Sequence, residues 1–351
     1  MSGFVSGAGK RVTAARMIAV LGTCAVVTAA VALLAPLVGT APDGHGAWHH
    51  ELLGLGALDP GSTDHAFLML RLPRVLVALL VGGALAGAGC ALQALLRNPL
   101  AEPFTLGISS GASFAAVLAI RLGAEHAFGS AGVGGAALLG SAATLAGIWW
   151  LTRAGGQLPP ATLVLAGVTL SMFCSSANVL VQSTSDFAEV NHMLRWMMGG
   201  LEDVPFATVR AAAPPILAGL ALLVLQARAL DALAAGPDVA ASLGVNVGRV
   251  QLAVFALSSL LVGVAIACVG PIGFVGLIVP HALRSIIGAD HRLLLPASIL
   301  GGGVLLVLCD TIARSLIPLD HLPTGAVTAV LGGPFFVGLL IRQKRRAGLW
   351  R

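Results

Sequence analysis

Charge is what this sequence has least of. Only 10% of its 351 residues are Asp, Glu, Lys or Arg, and 57% are hydrophobic, whereas an ordinary soluble domain carries roughly 25% charged residues. That shortage excludes a soluble globular protein and gives no reason to expect a nucleic-acid partner. At about 20 residues per spanning helix, the length accommodates roughly ten spans and leaves no room for a catalytic head. Cysteine is also scarce. Cys24, Cys90, Cys174, Cys268 and Cys309 each sit in an apolar stretch, with no CxxC or CxxxC pair, which argues against a disulfide framework or a metal site and makes them small buried hydrophobes.

A complete nucleotide-binding loop is missing too. The tract Gly3 to Lys10 imitates one, but Arg11 stands where Ser or Thr is required. The chain is expected to bind no cofactor, so ATP and its magnesium belong to a separate polypeptide. Gly107-Ile108-Ser109-Ser110-Gly111 spells GxSxG, but a nucleophile elbow needs a preceding strand, and this segment follows a membrane turn. No catalytic residue is expected, and the chain is not read as an enzyme.

What is present is a series of long apolar runs. They predict an all-α membrane protein with helices near 17–38, 74–96, 104–122, 131–152, 161–182, 208–229, 247–269, 274–288, 293–315 and 323–342. The run at 274–288 is short and contains Pro280, so a broken or tilted span is expected there. The first run follows Lys10, Arg11 and Arg16 and is too long for a signal-peptide core, so it reads as a retained helix. Residues 1–351 form a single membrane domain. Its cytoplasmic parts are a tail at 1–16, a loop at 230–247 and a basic tail at 343–351.

An even number of spans puts both termini on one side, and both are basic; the positive-inside rule makes that side cytoplasmic. Fourteen of the 20 basic residues then lie inside. The other six, Arg71, Arg74, Arg121, Arg195, Arg210 and Arg314, lie at or near the outer face, where the simplest role is anchoring to lipid headgroups. His45, His49, His50 and His65 in an outer loop have irregular spacing and read as solvated.

Three segments are too polar or too punctuated by Gly and Pro for plain lipid-facing helices. The first runs from Arg71-Leu-Pro-Arg74 past Gln93 to Arg97-Asn98-Pro99-Leu100-Ala101-Glu102-Pro103 and Leu106-Gly107-Ile108-Ser109-Ser110-Gly111-Ala112. The second is Leu230 to Val247. The third is Gly270-Pro271-Ile272-Gly273-Phe274-Val275-Gly276 through Pro280-His281, Arg284, Gly288 and Asp290-His291-Arg292, then Asp310 to Arg314 and Leu322-Pro323-Thr324-Gly325. Together, over about residues 65 to 342, they closely resemble the permeases of iron-siderophore, haem and cobalamin importers, the FecCD-type family of type II ABC importers.

The resemblance implies a permease fold of ten helices in the bacterial inner membrane, paired with a second copy, two ABC ATPase subunits and a substrate-binding protein. It implies that Arg71, Arg74 and Arg314 meet acids on the binding protein, a pairing for which arginine is well made. It assigns Asn98 and Leu100, with the next inner turn Pro159-Pro160-Ala161, to a cytoplasmic gate; a structural helix stop explains the prolines equally well. In the 230–247 loop, helix formers followed by a glycine stop suit a short helix. The resemblance makes Asp238, Val239, Ala240, Ala241, Ser242, Leu243 and Gly244 the ATPase-coupling segment. It places Trp196, Met197, Met198, Gly199 and Gly200 over the mouth of the path, a position that also suits an aromatic interfacial anchor.

Asp310 and Arg314 are four residues apart and are expected to pair on one helix face. His281 and His291 read as local hydrogen-bonding groups. Gly83 and Gly87 permit close helix packing without naming a partner. The cargo is expected to be an iron chelate, with cobalamin as the alternative; an ion-coupled secondary transporter is the competing class, and it would need ionisable groups at the bilayer midplane.

Overall fold

The computed structural model describes residues 13–42, 48–53, 59, 61–152, 160–202, 204–316 and 322–346. Within them the protein is almost entirely helical: α1 (Ala14–Leu34), α2 (Thr63–Leu95), α3 (Ile108–Arg121), α4 (Ala124–Phe128), α5 (Ser130–Thr152), α6 (Pro160–Ser183), α7 (Phe187–Met198), α8 (Phe206–Leu225), α9 (Ala227–Ala235), α10 (Pro237–Ser242), α11 (Val247–Val269), α12 (Val275–Ile287), α13 (His291–Leu316) and α14 (Thr324–Arg346). Seven helices are long and apolar enough to cross a membrane: α1, α2, α5, α6, α8, α11 and α13. Three shorter apolar helices accompany them, α3, α12 and the apolar part of α14.

Several boundaries move. The second helix begins at Thr63, so Arg71 and Arg74 lie inside it and do not precede it. The physical reason is a good start signal above the apolar run: the Ser62 hydroxyl accepts the His65 N–H at 3.1 Å and Asp64 sits in the first turn. The expected 208–229 helix ends at Leu225, and the residues beyond form the separate α9. Helix α12 is continuous through Pro280. An antiparallel hairpin, β1 (Val38–Pro42) with β2 (Trp48–Leu52), occupies part of the outer connection that reads as an irregular loop in sequence.

Helix α2 is the centre of the molecule. At 33 residues it is about 50 Å long, and it touches α1, α8, α9, α11, α12 and α13. Without a hydrophobic drive between helices in lipid, small residues decide how closely they pack. A Cβ on Gly82 would stand 2.2 Å from the Gly302 carbonyl oxygen, and one on Gly89 2.1 Å from that of Gly276. Gly83 and Gly87 also face inward, against Ile299 of α13, so that glycine pair serves packing within the chain. Helix α1, by contrast, buries no residue and rests on the outside against α13.

Candidate functional sites of the membrane domain

At one end of the helices, Arg71, Arg74 and Arg314 come together around one acid. Asp310 is fully buried. Arg74 donates through Nε to its Oδ1 at 2.8 Å and its Oδ2 at 3.0 Å, and the Thr324 hydroxyl donates to Oδ1 at 3.1 Å. The expected Asp310–Arg314 pair is present but longer, at 3.9 Å; Arg314 donates to the Ala35 carbonyl and the Thr311 hydroxyl. Arg71 lies 5.5 Å over the Phe67 ring and donates to the Pro36 carbonyl. Gly39 of β1 lies directly on its guanidinium, at a distance a Cβ would close to 2.5 Å. The three guanidinium groups are thus engaged inside the chain, with Arg71 7% and Arg314 5% exposed. Of the six arginines expected at the outer face, Arg121, Arg195 and Arg210 are the exposed ones.

Beside this cluster lies α7. Its start is fixed by a capping box, in which the Asp186 carboxylate accepts the Glu189 N–H at 2.8 Å and Glu189 accepts the Asp186 N–H. Glu189 also pairs with Arg121 of α3 at 3.1 Å, and His192 lies 3.4 Å from Glu125 of α4. Its far end is fixed by close backbone contact. Gly199 has φ +66°, and its carbonyl accepts the Gly325 N–H at 3.0 Å, while the Gly200 N–H donates to Val269 at 2.8 Å. Trp196 and Met197 pack inward against the core, and Met198 is exposed. This segment therefore joins α7, α11 and α14.

At the other end of α2 the helix stops at Leu95, and Arg97 takes a left-handed conformation with φ +50°. The Asn98 carbonyl oxygen of the side chain accepts the Leu100 N–H at 3.0 Å, a self-closed turn before the 3-10 segment Pro103–Leu106. Asn98 is exposed and Leu100 half-buried. Of the second gate turn, Pro159 lies outside the described residues, Pro160 opens α6, and Ala161 is exposed. Helix α6 reaches the first segment through Gly167, which packs on Leu106.

Two residues here carry more than the sequence revealed. The Glu102 carboxylate accepts the N–H of Phe274, the left-handed residue (φ +68°) that opens α12, and Gln93 donates to the Gly276 carbonyl at 3.2 Å. The turn after α2 is therefore tied to the first turn of α12. Glu102 lies outside the spanning helices, and burial pushes its carboxyl up to about 7 against the opposing pull of the Phe274 bond. The available signal was a carboxylate directly before Pro103 in a connection between helices.

The expected short inner helix is present as α10, with Pro237 in its first turn and Gly244 at φ +80° after its end. Ala240 is buried, whereas Asp238, Val239, Ala241, Ser242, Leu243 and Gly244 are exposed. Val239 and Leu243 present apolar side chains on a helix too short to span anything. Close by, Arg292 in the first turn of α13 pairs with Asp290 just before that helix and holds its carboxyl below the ordinary carboxylate range. Among the described residues no cluster of His, Cys, Asp and Glu could hold a metal ion.

A model of the FecCD transport family matches residues 27–342. This chain belongs to that family. It is 43% identical over 287 residues to the hemin transport system permease protein HmuU of Yersinia pestis, covering 80% of this chain and 85% of that protein. It is 39% identical over 284 residues to the Fe(3+) dicitrate permease FecD of Escherichia coli, covering 80% and 87%. It is likewise 39% identical over 278 residues to a cobalamin permease, BtuC, of Halobacterium salinarum, covering 79% and 74%. A solved metal-chelate type ABC transporter in an inward-facing conformation superposes with a TM-score of 0.80 at 29% identity, covering 93% of this chain and 99% of that one. The protein is a multi-pass permease subunit of an ABC importer, a transport component that works with ATPase and binding-protein partners.

Proposed function

We propose that this permease carries an iron chelate, haem or a ferric siderophore, from an external binding protein into the cytoplasm, and that two separate ATPase subunits drive it. The observation that carries this reading is 43% identity to a hemin permease over 85% of that protein's length. The permease sits in the bacterial inner membrane with both termini cytoplasmic, a reading supported by the basic ends of the chain. It binds no cofactor and has no ATP site of its own.

The path runs between two copies of the chain. What supports this is the interior of one copy: α2 fills it, with backbone contact at Gly82–Gly302 and Gly89–Gly276, so a large chelate has no space beside it. Helix α6 leaves Leu165, Met172, Phe173 and Leu180 exposed, a face suited to lipid or to the second copy. Arg71, Arg74 and Arg314 take part in docking by holding the outer face in shape beneath the hairpin. Asn98 and Leu100, with Pro159-Pro160-Ala161, form the inner gate. The exposed Val239 and Leu243 of α10 seat in the ATPase, and Trp196 to Gly200 roof the mouth.

The cargo is tested on the cognate binding protein. Haem or a ferric siderophore at a hundredfold excess over its Kd should stabilise that protein by about 2.7 kcal/mol, visible as a rise of a few degrees in melting temperature. A rise with cobalamin and none with either iron chelate would overturn the iron reading in favour of the alternative that the 39% identity to a cobalamin permease supports.

A further inference from the structure

Helix α9 has no role in the reading above, yet it stands between the coupling helix and the membrane core. It packs against α10, α2 and α13, and Ala227, Leu230, Ala232 and Leu233 bury its inner face. From this helix Asp231 reaches the first residue of α13. One carboxylate oxygen accepts two hydrogen bonds from His291, from the backbone N–H at 2.8 Å and from ring Nδ1 at 2.7 Å. A carboxylate only accepts, so Nδ1 carries a proton. The imidazole is 4% exposed, and its Nε2 is buried without a hydrogen-bond partner among the described residues. Among the described residues, Asp231 is therefore the ring's hydrogen-bond partner.

We propose that Asp231 and His291 form the mechanical joint through which movement of α10 enters α13. The proposal rests on the importer reading, in which α10 receives the push of the ATPase. Helix α13 has 26 residues, about 39 Å end to end. Its far end carries Asp310 and Arg314, so one continuous helix, with Pro296 in its second turn, links the nucleotide side to the outer arginine cluster. A charge-assisted pair fixes distance and direction more tightly than apolar packing does, and two bonds to one oxygen hold the helix end and the ring as a unit. Asp231 and His291 touch neither cargo nor nucleotide and are positioning residues.

The test uses the full permease reconstituted in proteoliposomes with its ATPase subunits and loaded binding protein, with uptake and ATP hydrolysis read from the same vesicles. Asp231→Ala and His291→Leu should assemble with the ATPase and hydrolyse ATP within about twofold of wild type, while cargo moved per ATP falls about tenfold, within the range coupling residues command. His291→Asn, whose amide can donate from the place of Nδ1, should recover most of the coupling, and His291→Gln should not. In spin-labelled protein, the ATP-driven distance change between exposed positions Ala235 and Ile312 should shrink in step. An unchanged cargo-to-ATP ratio in both disrupting variants overturns the joint. If those variants fail to assemble, the decision falls to the two conservative ones, and equal coupling in His291→Asn and His291→Gln overturns it. Wild-type vesicles without ATP-driven uptake would instead refute the importer reading itself.

Discussion

An acid buried in an apolar helix is costly unless it is paired, and Asp310 is paired three ways, to Arg74, Thr324 and, at longer range, Arg314. Removing Arg74 leaves a buried charge. Arg74→Ala should therefore destabilise the permease by about 3–5 kcal/mol, and the double variant Arg74→Ala with Asp310→Ala should lose less than the sum of the two single changes. Melting curves in detergent for the four proteins measure the difference; strict additivity would show that the pair contributes nothing. The i,i+4 spacing made Asp310–Arg314 legible in the sequence, but the shorter bond comes from a residue 236 positions away, which no local pattern can disclose. Glu102 and Asp231 escaped notice for the same reason, since each one's importance lies in a distant partner, Phe274 and His291.

At the scale of elements, hydropathy located every long apolar helix because lipid imposes length and composition together. It failed where a helix leaves the apolar band. The first turns of α2 lie above its hydrophobic run and are announced only by Ser62 and Asp64, and α9 is too short and too polar to register. Which glycines pack was also illegible: the sequence offered Gly83 and Gly87, and closer backbone contacts are made by Gly82 against Gly302 and by Gly89 against Gly276. Valine at Gly82 should abolish close α2–α13 packing and lower the melting temperature by many degrees, or leave no folded protein to purify. Gly22→Ala in α1, where nothing lies within 4 Å, should be neutral to slightly stabilising, as expected for a helical glycine replaced without a clash. A Gly82→Val protein as stable as wild type would refute the packing account.

At the scale of the whole molecule, the chain is a permease subunit of an ABC importer. Low charge and ten apolar runs made the membrane class legible, and the ordered Gly/Pro motifs made the family legible, because those motifs mark turns and helix crossings that the fold cannot change. The cargo stayed illegible, since apolar walls distinguish one large chelate from another through shape alone. In the proposed function the energy comes from partner ATPase subunits, and that is the central claim. It is tested by uptake of iron chelate into proteoliposomes holding the permease with or without its ATPase subunits, with ATP or an ion gradient supplied. Uptake that requires both the ATPase subunits and ATP is predicted; uptake by the permease alone, driven by the ion gradient, would contradict it.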